Sequence, residues 1–464
     1  MGVAVSSWQL ASQVSRAGQL GVVSGVGLDM VLARRLQDGD PGGHMRRALA
    51  AFPIPAVAAR AVKRYFLPQG RPAGKPYAPV PRLAIKQGRR SQEMGVLGNF
   101  AEVWLAKEGH QGLVGVNFLE KIQMATPTAA YGAMLAGVDY VLMGAGLPRE
   151  IPHLLNQLVG HNAVRFPVDV LGAEPGQFAV SLDPAELLGV TLPPLTRPNF
   201  LAIVSAHVLA EYLSRDEAIR PDGFVIEGPM AGGHNAPPRG KVVLNEAGEP
   251  QFGPRDYADL EKVAAIGMPF WLAGAFGTPE GVRAAHAAGA VGVQVGTLFA
   301  LSSDANFDPA IRKKLVAGTA DGTLQVTTNL RASPTGFPFK VAELEGSLSD
   351  PDQVAARPRL CDLGFLTVPF LRENGAVGHR CAAEPEKPFV RKGGSEEDTA
   401  GRLCLCNALM ANVGLGQTRA TGYVEKPLIT LGADLDGPQR LAALHPDGWT
   451  ANQALEWLLS PSED

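Results

Sequence analysis

Cysteine is scarce: the 464-residue chain has four, all within residues 361–406. So few thiols cannot supply the disulfide framework of a small secreted scaffold, and a reducing cytoplasm is the expected compartment. Charge is also sparse, at 19% of residues with a net value of −3, which removes any electrostatic case for a nucleic-acid partner. No run reaches the roughly 18 apolar residues of a membrane span, so no membrane association is expected. The opening MGVAVSSWQLASQ lacks the basic and apolar regions of a secretory signal. It does fit the short myristoylation pattern through Gly2 and Ser6, but it runs directly into the first strand. No G-x-G-x-x-G follows that strand, which weighs against a doubly wound dinucleotide fold. No repeat of about 20–50 residues is visible either.

Against these absences stand a 46% hydrophobic content, 54 glycines and 37 prolines, a composition suited to a large core with many tight βα connections. Apolar runs bounded by glycine recur at 19–25, 83–86, 112–119, 140–146, 200–205, 223–228, 269–277 and 291–300. Helical patterns separate most of them. They include 8–17, the long Ala- and Arg-rich stretch 44–66, the segment from Thr126 to Ala136, and 278–288. Eight strands alternating with helices predict an α/β fold, a (β/α)8 TIM barrel. The barrel domain is expected over 1–345, with a hairpin excursion at about 162–198. Residues 346–464, which hold every cysteine, are expected as a C-terminal appendage, a lid or partner surface, ending in a helix over 451–458.

The stretch GFVIEGPMAGGHNAPPRG, 223–240, organises the rest. It is a buried strand, then a turn with Gly232 and Gly233, then His234 at the strand's carboxyl end, where α/β enzymes build their sites. Two adjacent glycines allow a close backbone approach or a positive φ. An ordinary glycine-rich loop with a solvated histidine is the alternative. LAGAFGTPEG (272–281) and VGVQVGTLFA (291–300) place glycine-flanked N–H groups after the seventh and eighth expected strands. Barrels commonly hold a phosphate there.

AGGH (231–234), LAGAFGTPEGVRAAHAAGAVGVQVGTLF (272–299) and ASQVSRAGQLGVVSG (11–25) resemble the nitronate monooxygenase family, formerly 2-nitropropane dioxygenase, which is related to flavin-dependent enoyl reductases. The resemblance spans roughly residues 1–340 and implies an FMN-binding barrel. Carried over residue by residue, it makes His234 the catalytic base. Gly274 and Ala275, with Gly296 and Thr297, would hold the FMN phosphate. Val23, Ser24 and Gly25 would run beneath the flavin ring, Asn117 would touch its edge, and Glu227, Gly232 and Gly233 would approach the ribityl chain. The chain departs from the family at Ala275, where a second glycine is usual, and at Asn235-Ala236-Pro237-Pro238. It also has Ser205-Ala206-His207 where a lysine would help bind flavin.

The reaction so implied is oxidation of alkyl nitronates or nitroalkanes by O2 to a carbonyl compound and nitrite. A histidine suits proton removal near neutrality. The alternative is an NAD(P)H-dependent FMN enoyl reductase acting on an acyl-carrier or polyketide thioester, for which a carrier protein would be the partner. A third reading is a flavin-binding protein whose cysteine-bearing region engages a partner. In each case a small molecule is bound, and a homodimer is compatible. Among other histidines, His207 stands near the same rim, and His286 lies within a helix.

Cys361, Cys381, Cys404 and Cys406 are close enough in sequence to suggest a tetrahedral zinc or an iron–sulfur centre. Their C-x19-C-x22-C-x-C spacing lacks C-x-x-C pairs, however. Cys404 and Cys406 also read as small buried hydrophobes on LCLCNALMANVGL, 403–415.

Overall fold

The computed structural model describes residues 2–461. Its centre is a parallel sheet of seven strands: β1 (Gly21–Ser24), β2 (Val114–Leu119), β3 (Tyr140–Gly144), β6 (Asn199–Val204), β7 (Gly223–Glu227), β8 (Phe270–Ala273) and β9 (Gly292–Gln294), paired in that order. Each is short, apolar and followed by a helix or turn, as a parallel sheet covered by crossover helices requires. Val22 of β1, Leu142 of β3, Leu201 and Ile203 of β6, Val225 of β7 and both Trp271 and Ala273 of β8 form one interior cluster. Side chains of the first and penultimate strands meet only if the sheet curls, and it does so into a partial barrel.

The first and last strands of the sheet are not paired with each other. Residues beside the N-terminus border β1 instead. Ser24 N–H donates to the Ser6 carbonyl at 2.9 Å and Ser6 Oγ to the Val22 carbonyl at 2.6 Å. Asn306, beyond β9, donates its N–H to the Val5 carbonyl at 2.9 Å.

Three sequence expectations are corrected here. LAIK (83–86) is not a strand. It follows Pro79 and Pro81, which have no N–H for a ladder, and Leu83 and Ile85 pack outside the barrel against Met124, Val168 and Val180. The eighth strand is therefore missing from the sheet. The stretch 44–66 is two helices, His44–Ala50 and Pro55–Tyr65, because Pro53 and Pro55 interrupt the hydrogen-bond ladder. The run 291–300 also divides. Only Gly292–Gln294 is strand, and Thr297–Ala300 is a helical turn. The excursion at 162–198 contains the antiparallel pair β4 (Val164–Pro167) and β5 (Ala179–Leu182).

After the sheet come two antiparallel hairpins, β10 (Val326–Asn329) with β11 (Phe339–Ala342) and β12 (Val368–Leu371) with β13 (Val377–Arg380). Residues 346–464 were expected as an appendage. Leu405, Ala408, Met410, Leu428, Ile429, Leu431, Leu441 and Trp449 from this region share one continuous core with the barrel helices. Trp449 is buried and donates its indole N–H to the Leu298 carbonyl at 2.9 Å, and the final helix is Ala451–Leu458. Among the described residues no helix is long and apolar enough to cross a membrane.

Candidate active site

The strand ends converge on two adjoining cavities that share Asn117 of β2, Glu227 of β7 and Gly232. The first is lined by Gly274 and Ala275 after β8, by Gln294, Gly296 and Thr297 at β9, and by Gly432 and Asp434 from the C-terminal region. Gly274 and Ala275 both have positive φ, +82° and +68°. Both residues line the cavity, so the backbone of this strand-end corner borders it directly. Alanine pays for that conformation where glycine would not, so the departure from the family pattern is one of side chain and not of backbone shape. A Cβ built at Gly296 would meet nothing within 4 Å. No lysine or arginine lines this cavity.

The second cavity holds His234. Its walls are apolar: Val26, Phe118, Ile122, Phe339, Phe365, Leu366, Leu405, Leu409 and Met410, with Cys406 among them. It measures about 100 Å3.

The loop carrying His234 is clamped from both sides. Strand β11 lies along it, with Lys340 N–H on the Gly233 carbonyl and Asn235 N–H on the Pro338 carbonyl, each 2.9 Å. On the other side Gly233 N–H donates to Thr430 Oγ1 at 2.8 Å. The paired glycines serve this clamp. A Cβ at Gly232 would stand 2.8 Å from the backbone carbon of Leu431, and Gly233 has φ +84°.

His234 is half-buried, its ring edge-on to Phe339 with centroids 4.9 Å apart. Its Nε2 lies 2.7 Å from Ser333 Oγ, which lies 2.8 Å from Thr335 Oγ1. Burial, with Lys121 nearby, pushes its pKa down to about 3. The ring is therefore neutral and able to accept a proton. Glu227, at the seam of the two cavities, is pushed up to about 7 by burial. Lys121 Nζ donates to the Ala145 carbonyl at 2.8 Å and sits 3.3 Å from the Phe337 ring centroid; burial lowers its pKa to about 8.

Of the residues singled out from sequence, Asn117, Glu227, Gly232, Gly274, Ala275, Gly296 and Thr297 line the first cavity, while Gly233 and His234 line the second. Thr297 Oγ1 is already engaged, accepting from Gly432 N–H at 2.8 Å. Val23, Ser24 and Gly25 line neither cavity. Val23 and Ser24 are buried within β1, and a Cβ at Gly25 would strike the Phe118 ring at 2.5 Å, so this glycine makes room for a side chain. His207 also lies outside both cavities, accepting from Asp259 N–H at 3.3 Å, and His286 faces the Ala290 carbonyl. Sequence reasoning missed Ser333, Phe339, Thr430, Gly432 and Met410. The sequence SPTGFPF, 333–339, reads as a turn and marks the neighbourhood of the first two, but nothing local announces the others.

The four cysteines gather around a third, small cavity. Among the described residues, no group of three or more His, Cys, Asp or Glu is arranged to hold a metal ion. The zinc expectation therefore does not carry over.

With this geometry in hand, comparison with known proteins places the middle of the chain. Residues 196–336 match the family model described as nitronate monooxygenase, an oxidoreductase family. That segment contains β6 to β10 and the His234 loop. The chain is 30% identical over 136 residues to the (3aS,4S,5R,7aS)-5-hydroxy-7a-methyl-1-oxo-octahydro-1H-indene-4-carboxyl-CoA dehydrogenase of Mycobacterium tuberculosis. That match covers 29% of this chain and spans about a third, 34%, of the relative's length. Among solved structures it is similar to FabK from Thermotoga maritima, at TM-score 0.47 and 15% identity over 98% of this chain and 88% of that one. It is also similar to nitroalkane oxidase from Streptomyces ansochromogenes, at TM-score 0.46 and 15% identity over 99% and 92%.

Proposed function

We propose that the protein is an FMN-dependent oxidoreductase that oxidises alkyl nitronates or nitroalkanes with O2, with His234 as catalytic base. The observation that carries the reading is the junction of the two cavities at Asn117, Glu227 and Gly232. A site for a phosphate-bearing group therefore opens onto an apolar chamber containing a neutral histidine.

The residues fit FMN. The phosphate would lie against the Gly274–Ala275 corner and Gly296, held by backbone N–H groups and not by a cation. Asn117 and Glu227 stand where the flavin ring would pass from one cavity to the other. When bound, FMN accepts electrons from the substrate and makes them available to oxygen.

The chain supplies the rest. Nε2 of His234 is held by Ser333, which sets the ring's angle and leaves Nδ1 as the atom that takes the proton from the carbon beside the nitro group. The ring is neutral at pH 7, and with its Nε2–H donated to Ser333 Oγ it is Nδ1 that carries the free lone pair. Phe339, Phe365, Leu409 and Met410 exclude water and hold the substrate's alkyl portion.

A second reading, an NAD(P)H-dependent reductase of an enoyl thioester, is supported by the largely apolar walls of the chamber, which would suit an acyl chain. One experiment separates the two. Flavin-loaded protein is mixed without oxygen with NADH or NADPH, and separately with a nitronate. Reduction by the nitronate alone supports the oxidase. Rapid bleaching by the nicotinamide overturns it in favour of the reductase. Protein that cannot be loaded with FMN removes both.

A further inference from the structure

We propose that Cys361, Cys381, Cys404 and Cys406 bind a [4Fe–4S] cluster, in a site separate from the flavin cavity and sharing one wall with it.

The four cysteines span 45 residue steps of irregular chain, yet all line one small cavity, with Leu363, Leu366, Ala383 and Leu405 as its apolar walls. Cys361 precedes β12, Cys381 directly follows β13, and Cys404 and Cys406 bracket the start of the helix Leu405–Ala411. Packing of apolar side chains alone does not require four sulfurs to meet. None is in a disulfide. The arrangement is unsuited to a single ion, but a cubane carries its ligands farther apart, one thiolate on each of four irons.

The surroundings match the chemistry. Hydrogen bonds to sulfur stabilise and tune such clusters. Here Asn407 Nδ2 lies 3.5 Å from Cys404 Sγ. Binding replaces each thiol proton by an Fe–S bond, leaving four thiolates on a doubly charged core, net −2.

Charge to meet that excess is already buried beside the site. The Arg357 guanidinium, next to Cys404, forms a two-pronged pair with Glu425 at 2.8 and 3.0 Å. Arg419 bridges Glu425 and Asp362, the residue following Cys361. Arg34 is buried within their field. Three guanidiniums thus face these two carboxylates, and a third buried carboxylate, Glu384, near Cys361 and Cys381, is paired with Lys392 at 2.7 Å. Asn407 also donates to Asp362 at 2.7 Å, fixing the Cys361 and Cys404–Cys406 segments to one another.

Cys406, Leu366 and Leu405 line both this cavity and the His234 chamber. A cluster here would set the position of that shared wall.

The test is iron and acid-labile sulfide analysis of the full chain, purified without oxygen and then incubated with equal amounts of ferrous and ferric iron and with sulfide, which together supply the doubly charged core. About four of each per chain is expected. Well under one of each after this treatment overturns the proposal, as does one zinc per chain without sulfide, or a Cys–Cys disulfide found by mass analysis. Cys361→Ser and Cys381→Ser, whose side chains lie away from the His234 chamber, are expected to lose most of the iron while retaining FMN. Because the first measurement uses unaltered protein, failure of a variant to fold does not decide the outcome. Failure of FMN loading would bear on the oxidoreductase reading and leave the iron count intact.

Discussion

His234 and Ser333 are 99 residues apart in sequence and joined by a 2.7 Å hydrogen bond between Nε2 and Oγ. The histidine comes from the loop after a barrel strand, the serine from the turn that leads into β11, and β11 in turn lies against the histidine's own loop. The proposed base is therefore oriented by chain that follows the barrel.

Ser333→Ala removes that partner and leaves the ring free to turn about its χ2. Turnover is expected to fall about fivefold, in line with the ~1 kcal/mol of a hydrogen bond, with FMN content unchanged. Ser333→Thr keeps a hydroxyl and is expected to recover most of the rate. Steady-state kinetics on a nitroalkane checks both, and an unchanged kcat in the alanine variant would falsify the positioning role.

Glu227 gives a pH signature. Its folded pKa, about 7, lies above the ordinary 4.5. The folded chain therefore binds this proton more tightly than the unfolded chain does. The stability it contributes is fully present below about pH 4.5 and is lost as pH rises through about 7. Glutamine cannot ionise, so Glu227→Gln is expected to gain stability relative to the parent across that window, by on the order of 1–3 kcal/mol. Urea midpoints at the two ends of the window measure it. His234 slopes the opposite way, losing stability as pH falls from 6.5 towards 3, and it cancels in the comparison.

Ala275 holds φ +68° at the phosphate corner. Ala275→Gly relieves left-handed strain and is expected to raise stability by up to about 1 kcal/mol without weakening FMN binding. A drop in melting temperature would show that the alanine methyl contributes packing that outweighs the strain.

Thr430 Oγ1 accepts the Gly233 N–H. Thr430→Val conserves the shape and leaves that N–H without its partner, at a cost of roughly 1–3 kcal/mol. The His234 loop should loosen first, so activity is expected to fall at temperatures where the rest of the chain remains folded. Comparing the temperature of half-activity with that of unfolding by circular dichroism tests this. Coincident shifts would argue against a local role.

Much of the barrel was legible because parallel strands buried on both faces leave continuous apolar runs, and glycine and proline punctuate them. Seven of the eight expected runs are strands of one sheet. LAIK failed because four apolar residues look alike whether they enter a sheet or cover a satellite cluster, and only the neighbouring prolines hinted at the second. The Gly232–His234 loop and the Gly274–Ala275 and Gly296–Thr297 corners were legible for a related reason: strand-end loops have a fixed place relative to the sheet. Val23, Ser24 and Gly25 were misplaced relative to the cavities because the first strand's end is covered by Ser6 and Phe118, a contact no local pattern records.

By itself the sequence determined the periodic elements, the alternation that makes a parallel sheet, and the glycine-rich corners at its carboxyl edge, since each depends on residues within a few positions of one another. Only the tertiary structure decided that residues 346–464 close over those corners. Thr430, Gly432, Cys406 and Met410 reach the site from more than 130 residues beyond the loops they touch or face, or, for Cys406 and Met410, from beyond the end of the sheet altogether. It also decided that four scattered cysteines meet. Side-chain packing across such separations is set by the shape of the whole core, and no spacing rule along the chain encodes it.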